Sequence, residues 1–312
     1  FTMTNPSRLV VDIKPAKLNM EKAAVDTADN PYFYSIRYSQ YAEDTVRITA
    51  DLAPLVSGTV KKSDPPKSDK STSKGAILIT FEKKKLDLPG ELSEPSGSTS
   101  KEDQEILDRY HLPSVVEEAR RKLVVIDPGH GGTDTGSRGY ENGAAVLNEK
   151  DVNLDIALRV REMLKAAGVR LYMIRTEDIT VPLYDRQDTA NLLEASLYVS
   201  IHNNSYTTDV PSGTEVHYHG KDDLPVNGIS APELAENLQK TLTASLGLLD
   251  RGTKVSPELA VLRRTSMPAI IIEGAFISNP GDLSYMMTDD FREKYAVSVA
   301  SCIIDALNNS IE

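Results

Sequence analysis

The chain has 312 residues, 40% of them apolar, which is enough for two domains or for one large domain with an appendage. Its 46 acidic residues outnumber 35 basic ones, for a formal charge of −11, a balance that argues against a protein that wraps nucleic acid. A single cysteine excludes an internal disulfide framework; Cys302 sits in "VSVASCIIDAL" and reads as a small buried hydrophobe. No apolar run approaches the roughly 18 residues that would span a membrane.

The chain opens within a strand pattern, "FTMTNPSRLVV", with neither initiator Met nor leader, which fits an export signal removed beforehand. Residues 1–85 alternate with period two: Leu9, Val11 and Ile13 share a face, as do Tyr34, Ile36 and Tyr38, and again Val46, Ile48, Ala50 and Leu52. "AILITF" is a further strand, and "KKSDPPKSDKSTSKG" before it is expected as a mobile loop. The pattern predicts a small all-β, sandwich-like domain. Residues 86–121 read as a linker with a helical segment, "KEDQEILDRYHLPSVVEEARRK", broken at Pro113 and expected to tether the two domains.

From Lys122 onward strands and helices alternate. "KLVVID" is a buried strand, "DVNLDIALRVREMLKAAG" a helix capped near Asp151 and ended at Gly168, "VRLYMI" the next strand, "YDRQDTANLLEA" a helix and "SLYVSIH" a strand. "GTEVHYH" alternates like an edge or antiparallel strand, "APELAENLQKTLTASLG" is a helix with Pro232 in its first turn, and "PAIIIEGAF" is a last buried strand. A C-terminal helix is expected from about Gly281. Residues 122–312 are therefore predicted as an α/β domain, a mostly parallel twisted sheet flanked by helices.

The loop "VVIDPGHGGTDTG" poses the functional question. A phosphate loop needs a terminal Lys-Ser/Thr pair, which is missing, and Asp134 stands where an anion would be repelled. Other polar residues point elsewhere. His130 follows one strand by a short turn, His202 stands directly after a second, and Glu273 ends a third; Glu149 precedes the helix that returns from the first. Ligands of open α/β sheets bind at the carboxyl ends of the strands, so all four converge on one edge. Each alone has an ordinary reading: a turn cap, an acid near a helix N-terminus, a histidine bonded to a loop carbonyl. Glu273 resists this, because an acid after three isoleucines is costly to bury unpaired. Two histidines and a carboxylate with an open position make the usual catalytic zinc set, and a further carboxylate serves as proton carrier. Gly129, Gly131 and Gly132 are expected to leave room for a large substrate.

Together "VVIDPGHGG", "NEKDVNLDIALRVREMLKAAG", "DRQDTANLLEASLYVSIHNN", "GTEVHYH", "RGTK" and "LAVLRRTSMPAIIIEGAFISNP" resemble the catalytic domain of zinc-dependent N-acetylmuramoyl-L-alanine amidases, the type-3 amidases. "NPSRLVVDIKPA" and "DTVRITADL" are similar to the AMIN domain that often precedes them, here lacking its first strand. The resemblance implies Zn2+ on His130, Glu149 and His202, Glu273 as catalytic acid/base, and cleavage of the lactyl–L-alanine amide of peptidoglycan in wall remodelling or cell separation. It also implies an exported monomer whose β domain meets an envelope polymer or a protein. Glu141 is the competing acid, set aside because Glu149 stands before "KDVNL"; Arg186 also matches a family arginine and is left outside the site, with pairing to an internal acid and substrate contact both open to it. Asn203-Asn204-Ser205 replaces the family's smaller residues after the histidine. The stretch 137–149 is longer than usual, and "HGKDDLPVNGISAPELAENL" leaves little room for an inserted autoinhibitory helix. A wall-binding protein without turnover and a zinc peptidase are the alternatives.

Overall fold

The structure, a computed structural model, describes residues 2–4, 7–19, 32–52, 56–63, 76–83, 90–95, 99–220 and 226–311. The chain divides into two compact units, Phe1–Asp87 and Leu88–Glu312.

In the first unit, β1 (Thr2–Thr4), β2 (Ser7–Ile13), β3 (Phe33–Ala42) and β4 (Thr45–Leu52) form an antiparallel sheet of order β1-β2-β4-β3. β5 (Val56–Ser63) and β6 (Ala76–Lys83) pair separately as a two-stranded ribbon. Alternation in β2 and β4 turns Leu9, Val11, Ala50 and Leu52 to one side, where they bury with Val56 against Ile79 and Phe81 of the ribbon. The expected loop at 61–75 begins as the end of β5, and residues 64–75 lie outside the described residues.

The second unit begins with β7 (Glu91–Ser93), α1 (Lys101–Tyr110) and a 3-10 turn at Glu117–Arg121. β8 (Leu123–Pro128) leads through the hairpin β9 (Arg138–Glu141) and β10 (Ala144–Asn148) into α2 (Glu149–Ala166). β11 (Arg170–Met173), α3 (Leu183–Leu192), β12 (Leu197–Asn204), β13 (Thr214–Tyr218) and α4 (Ala231–Leu246) follow. The chain continues through β14 (Asp250–Val255), α5 (Ala260–Arg263), β15 (Ala269–Phe276), α6 (Pro280–Met286) and α7 (Asp289–Asn309). Seven strands make one sheet, β14-β13-β15-β12-β8-β11-β7. The central four, β15, β12, β8 and β11, run parallel; β13 lies antiparallel to β15, and β7 antiparallel to β11.

The apolar runs explain this arrangement. Strand side chains alternate sides, so an unbroken run such as Leu123–Ile126 is stable only if both faces are covered. Val124, Ile126, Val199, Ile201, Ile270 and Ile272 pack under α2, α4 and α7. Leu123, Val125, Tyr198, Ala269 and Ile271 pack under α3 and α5.

Two details differ from the sequence reading. Residues 90–95 and 99–121, expected as linker, are folded into the second unit: β7 pairs with β11, and Leu107 joins the core beneath α2. The C-terminal helix is two helices, because the Thr288 hydroxyl accepts from Phe291 N and starts α7 afresh. β13 is antiparallel to β15, one of the two forms expected of it, and is internal to the sheet because β14 adds outside it.

Candidate metal centre

β8, β12 and β15 end side by side. Ile201 pairs with Pro128, and His202 pairs with Glu273. His202 and Glu273 lie within β12 and β15 rather than after and at the end of them as expected, because pairing continues to Asn204 and Phe276; they still meet near the carboxyl edge. His130 arrives two residues beyond β8 and Glu149 is the first residue of α2, whose N-cap is Asn148 rather than the expected Asp151. One atom each from His130, Glu149 and His202 lie within 4.8 Å of one another. Glu141 is exposed on the hairpin, outside this cluster.

Glu149 is the hub. Only 3% exposed, it accepts at Oε2 from Ser137 N (2.9 Å) and at Oε1 from Asn153 Nδ2 (3.2 Å) and Asn203 N (3.3 Å). Its Oε2 lies 3.2 Å from His130 Nε2 and its Oε1 2.9 Å from His202 Nδ1. Burial works to raise its carboxyl, but hydrogen bonds and charge from the two imidazoles outweigh that and hold it far below the ordinary carboxylate range. On His130 burial works to lower the imidazole, and Glu149 and Asp134 more than offset it, leaving it above its ordinary value. Asp134 Oδ2 stands 2.8 Å from His130 Nδ1, fixing the ring and leaving Nε2 toward Glu149.

Glu273 contrasts with Glu149. Its Oε2 is shielded from solvent and has no hydrogen-bond partner among the described residues. Burial first, then the negative charges of Glu149 and Glu215, push its carboxyl well above the ordinary value. Opposite it on β13, Glu215 is held down to about 2 by His217, against the effect of burial and with help from Arg251.

The loop that carries His130 is pinned from below by two arginines. Arg186 donates from Nη1 to Asp127 Oδ1 (2.5 Å) and Pro128 O (3.0 Å), and from Nη2 to His130 O (2.8 Å). Asp127 is fully buried and also accepts from the hydroxyls of Tyr198 and Ser200. Arg186 thus pairs with an internal acid, one of the two roles the sequence left open to it. Arg175, which that reading missed, is fully buried and donates to Pro128 O, Gly129 O and Lys150 O, each at 2.9 Å. Burial, with Arg186 nearby, pulls its guanidinium down to about 10. A lone Arg directly after the apolar strand "VRLYMI" was the available signal.

His130 itself has φ +62°, a left-handed conformation uncommon outside glycine that costs on the order of 1 kcal/mol and tends to mark functional loops. The glycines do not make space for substrate, as had been expected; they are points of close packing. A Cβ on Gly129 would stand 2.2 Å from the His202 ring, and one on Gly131 would stand 2.3 Å from Ile179 O. Asn203 is likewise turned inward, donating to Asn153 Oδ1, and Asn204 donates to Glu215.

Two imidazoles and a deeply ionised carboxylate in mutual contact suit a divalent ion of the zinc type. Comparison with known proteins bears on the family. Residues 124–305 match the N-acetylmuramoyl-L-alanine amidase family, and residues 1–74 match the AMIN domain. Amidase AmiC of Neisseria meningitidis is 28% identical over 359 aligned positions, covering 100% of this chain and 84% of that protein. LytC of Bacillus subtilis is 34% identical over 203 positions, 65% of this chain and 38% of that protein. Among solved structures, amidase AmiC2 of Nostoc punctiforme superposes with a TM-score of 0.53 at 33% identity, covering 59% of this chain and 96% of that one. An amidase from Clostridium difficile gives 0.53 at 31% identity, with 59% and 95% covered. By a match that spans more than half its length, the chain belongs to the N-acetylmuramoyl-L-alanine amidase family.

Proposed function

We propose that this protein hydrolyses the amide joining the lactyl group of N-acetylmuramic acid to L-alanine in peptidoglycan, using a zinc ion held by His130, Glu149 and His202, with Glu273 as acid/base. The observation that carries the reading is the pairing of opposites at one sheet edge. One carboxylate is clamped in its ionised form by two imidazoles, while another, beside His202, has an Oε2 with no hydrogen-bond partner among the described residues and a raised affinity for a proton.

When bound, zinc polarises a carbonyl and brings the pKa of a water down to roughly 7. The remaining work falls to the chain. Glu273 takes the proton of the attacking water as its oxygen bonds to the amide carbon, then gives that proton to the departing L-alanine nitrogen as the C–N bond breaks. Its raised affinity for a proton suits both halves of this transfer. Asp134 holds His130 in the tautomer that offers Nε2. Arg175 and Arg186, by gripping the carbonyls of 128–130, keep the loop from relaxing out of its left-handed turn.

The AMIN domain supports a place in the cell envelope, and we read the β unit as the part that meets an envelope polymer or a protein there. No helix among the described residues is long and apolar enough to cross a membrane. Digestion of purified sacculi tests the function. Mass spectrometry should find stem peptides with a free L-alanine amine and glycan with an intact lactyl carboxylate, and cleavage only between amino acids would overturn the reading.

A further inference from the structure

Beside the metal centre, the β9–β10 hairpin and the loop after β12 enclose an open cleft of about 580 Å³. The cleft adjoins the centre through Ser137, which lines it and whose backbone N–H donates to Glu149 Oε2 at 2.9 Å. Arg138 and Tyr140 line one side; Tyr206 and Asp209 line the other. Arg138 and Tyr140 stand two residues apart on β9 and so share a face, while the intervening Gly139 packs against Leu283. Tyr140 is 57% and Tyr206 61% exposed.

Arg138 is unlike many arginines of this unit. Arg159, Arg161, Arg170, Arg186, Arg251 and Arg292 each sit in an ion pair. Among the described residues Arg138 has no carboxylate at ion-pair distance, and its side chain makes one long hydrogen bond, from Nε to Thr135 Oγ1 at 3.3 Å. A planar guanidinium in this state, at the wall of a cleft on a chain of charge −11, is suited to a carboxylate brought by a ligand.

The substrate has two unlike halves on either side of the scissile amide. The glycan is a neutral chain of N-acetylated sugars. The stem peptide carries free carboxylates and an amine. A cleft offering one guanidinium and one carboxylate, Arg138 and Asp209, matches the charged half. Reach favours the residue after L-alanine: Arg138 lies one residue, about 3.8 Å of chain, beyond the backbone that touches a metal-binding carboxylate.

We infer that this cleft takes the stem peptide and that Arg138 pairs with the free carboxylate of its second residue, an assignment that rests on the amidase reading above. The hairpin is then a specificity element. It selects stems whose second residue is ionised over those in which it is amidated.

The test uses the zinc-loaded full chain and two muramyl peptides of equal length, which differ only in a carboxylate or a carboxamide at the second stem residue. The native protein is expected to favour the carboxylate by about tenfold in kcat/KM, mainly through KM. In Arg138→Ala the ratio should fall to within about twofold of one, and Arg138→Lys should keep an intermediate preference, since its ammonium restores charge without the fork. Equal rates on the two substrates for the native protein, or an unchanged ratio in Arg138→Ala, would overturn the assignment while leaving the amidase reading intact. A variant that slows both substrates equally and responds only to glycan length would give the cleft to the sugars and overturn it too. Cleavage of neither substrate by the native protein would overturn both readings.

Discussion

Arg186 and Asp127 form a buried ion pair at the root of the loop that carries His130, with 2.5 Å between Nη1 and Oδ1, and the second nitrogen of the same guanidinium holds His130 by its carbonyl. Core stability and site geometry are therefore joined in one side chain.

Arg186→Met should cost about 3–5 kcal/mol, because it leaves Asp127 charged and buried with only two hydroxyls for partners. The double variant Arg186→Met/Asp127→Leu should recover much of that in a denaturant titration, since a buried pair replaced by apolar residues is often neutral. Zinc affinity should stay low in both, because His130 O has lost its donor. A double variant that regains full affinity would show that the carbonyl contact does not matter.

Glu273→Gln should bind one zinc per chain and lose about 10²–10⁴-fold in activity on sacculi. Its stability should move the other way. A carboxyl raised by burial is protonated in the folded state over a window where the unfolded chain has already released its proton. In metal-free protein, stability then falls as pH rises from the ordinary glutamate value of 4.5 toward the raised one. The variant carries no such loss, so its advantage over the native chain should grow across that window. Parallel melting curves at several pH values measure it.

Metal and protons compete at Glu149 and His130. In metal-free protein, Glu149, with a depressed carboxyl, stabilises above 4.5, and this is lost as pH falls through its lowered value. His130, with a raised imidazole, stabilises below 6.5, and this is lost as pH climbs through its own value. Zinc binding should consequently release protons, more of them at pH 6 than at pH 8, and calorimetry in buffers of different ionisation heat counts them. The gain in melting temperature on adding zinc should widen as pH rises over the same interval.

Gly129→Ala should lower zinc affinity by about 10–100-fold, because the new methyl must displace the His202 ring. Gly143→Ala is the control. Its φ of +79° makes it strained by about 1 kcal/mol, yet nothing lies within 4 Å, so metal binding should be unaffected. A chromophoric chelator in competition separates the two.

The α/β sheet and much of the site were legible because the same feature encodes both. β8, β12 and β15 carry apolar runs long enough to need cover on two faces; His130 soon follows the first, and His202 and Glu273 interrupt the other two toward their carboxyl ends. Parallel order then brings those ends together. Elements without apolar periodicity were not legible. β7 ("ELS") and β14 ("DRGTKV") exist because a neighbouring strand offers hydrogen bonds, which is a tertiary fact. The β9–β10 hairpin did carry a signal, Asn142-Gly143, both with positive φ, but it lay within a stretch read only for its acids. Arg175 could be seen but not understood, since the backbone carbonyls it binds at 2.9 Å, Pro128 and Gly129 on one side and Lys150 on the other, belong to two segments joined only by folding.

β7 has a practical side. It covers the outer rim of β11, pairing Glu91, Leu92 and Ser93 with Met173, Tyr172 and Leu171. A truncated amidase beginning at Leu123, where the family resemblance becomes plain, would bare that row of amides as a template for intermolecular strand addition. A fragment beginning at Gly90 keeps the rim closed and should stay dispersed at concentrations where the shorter one precipitates.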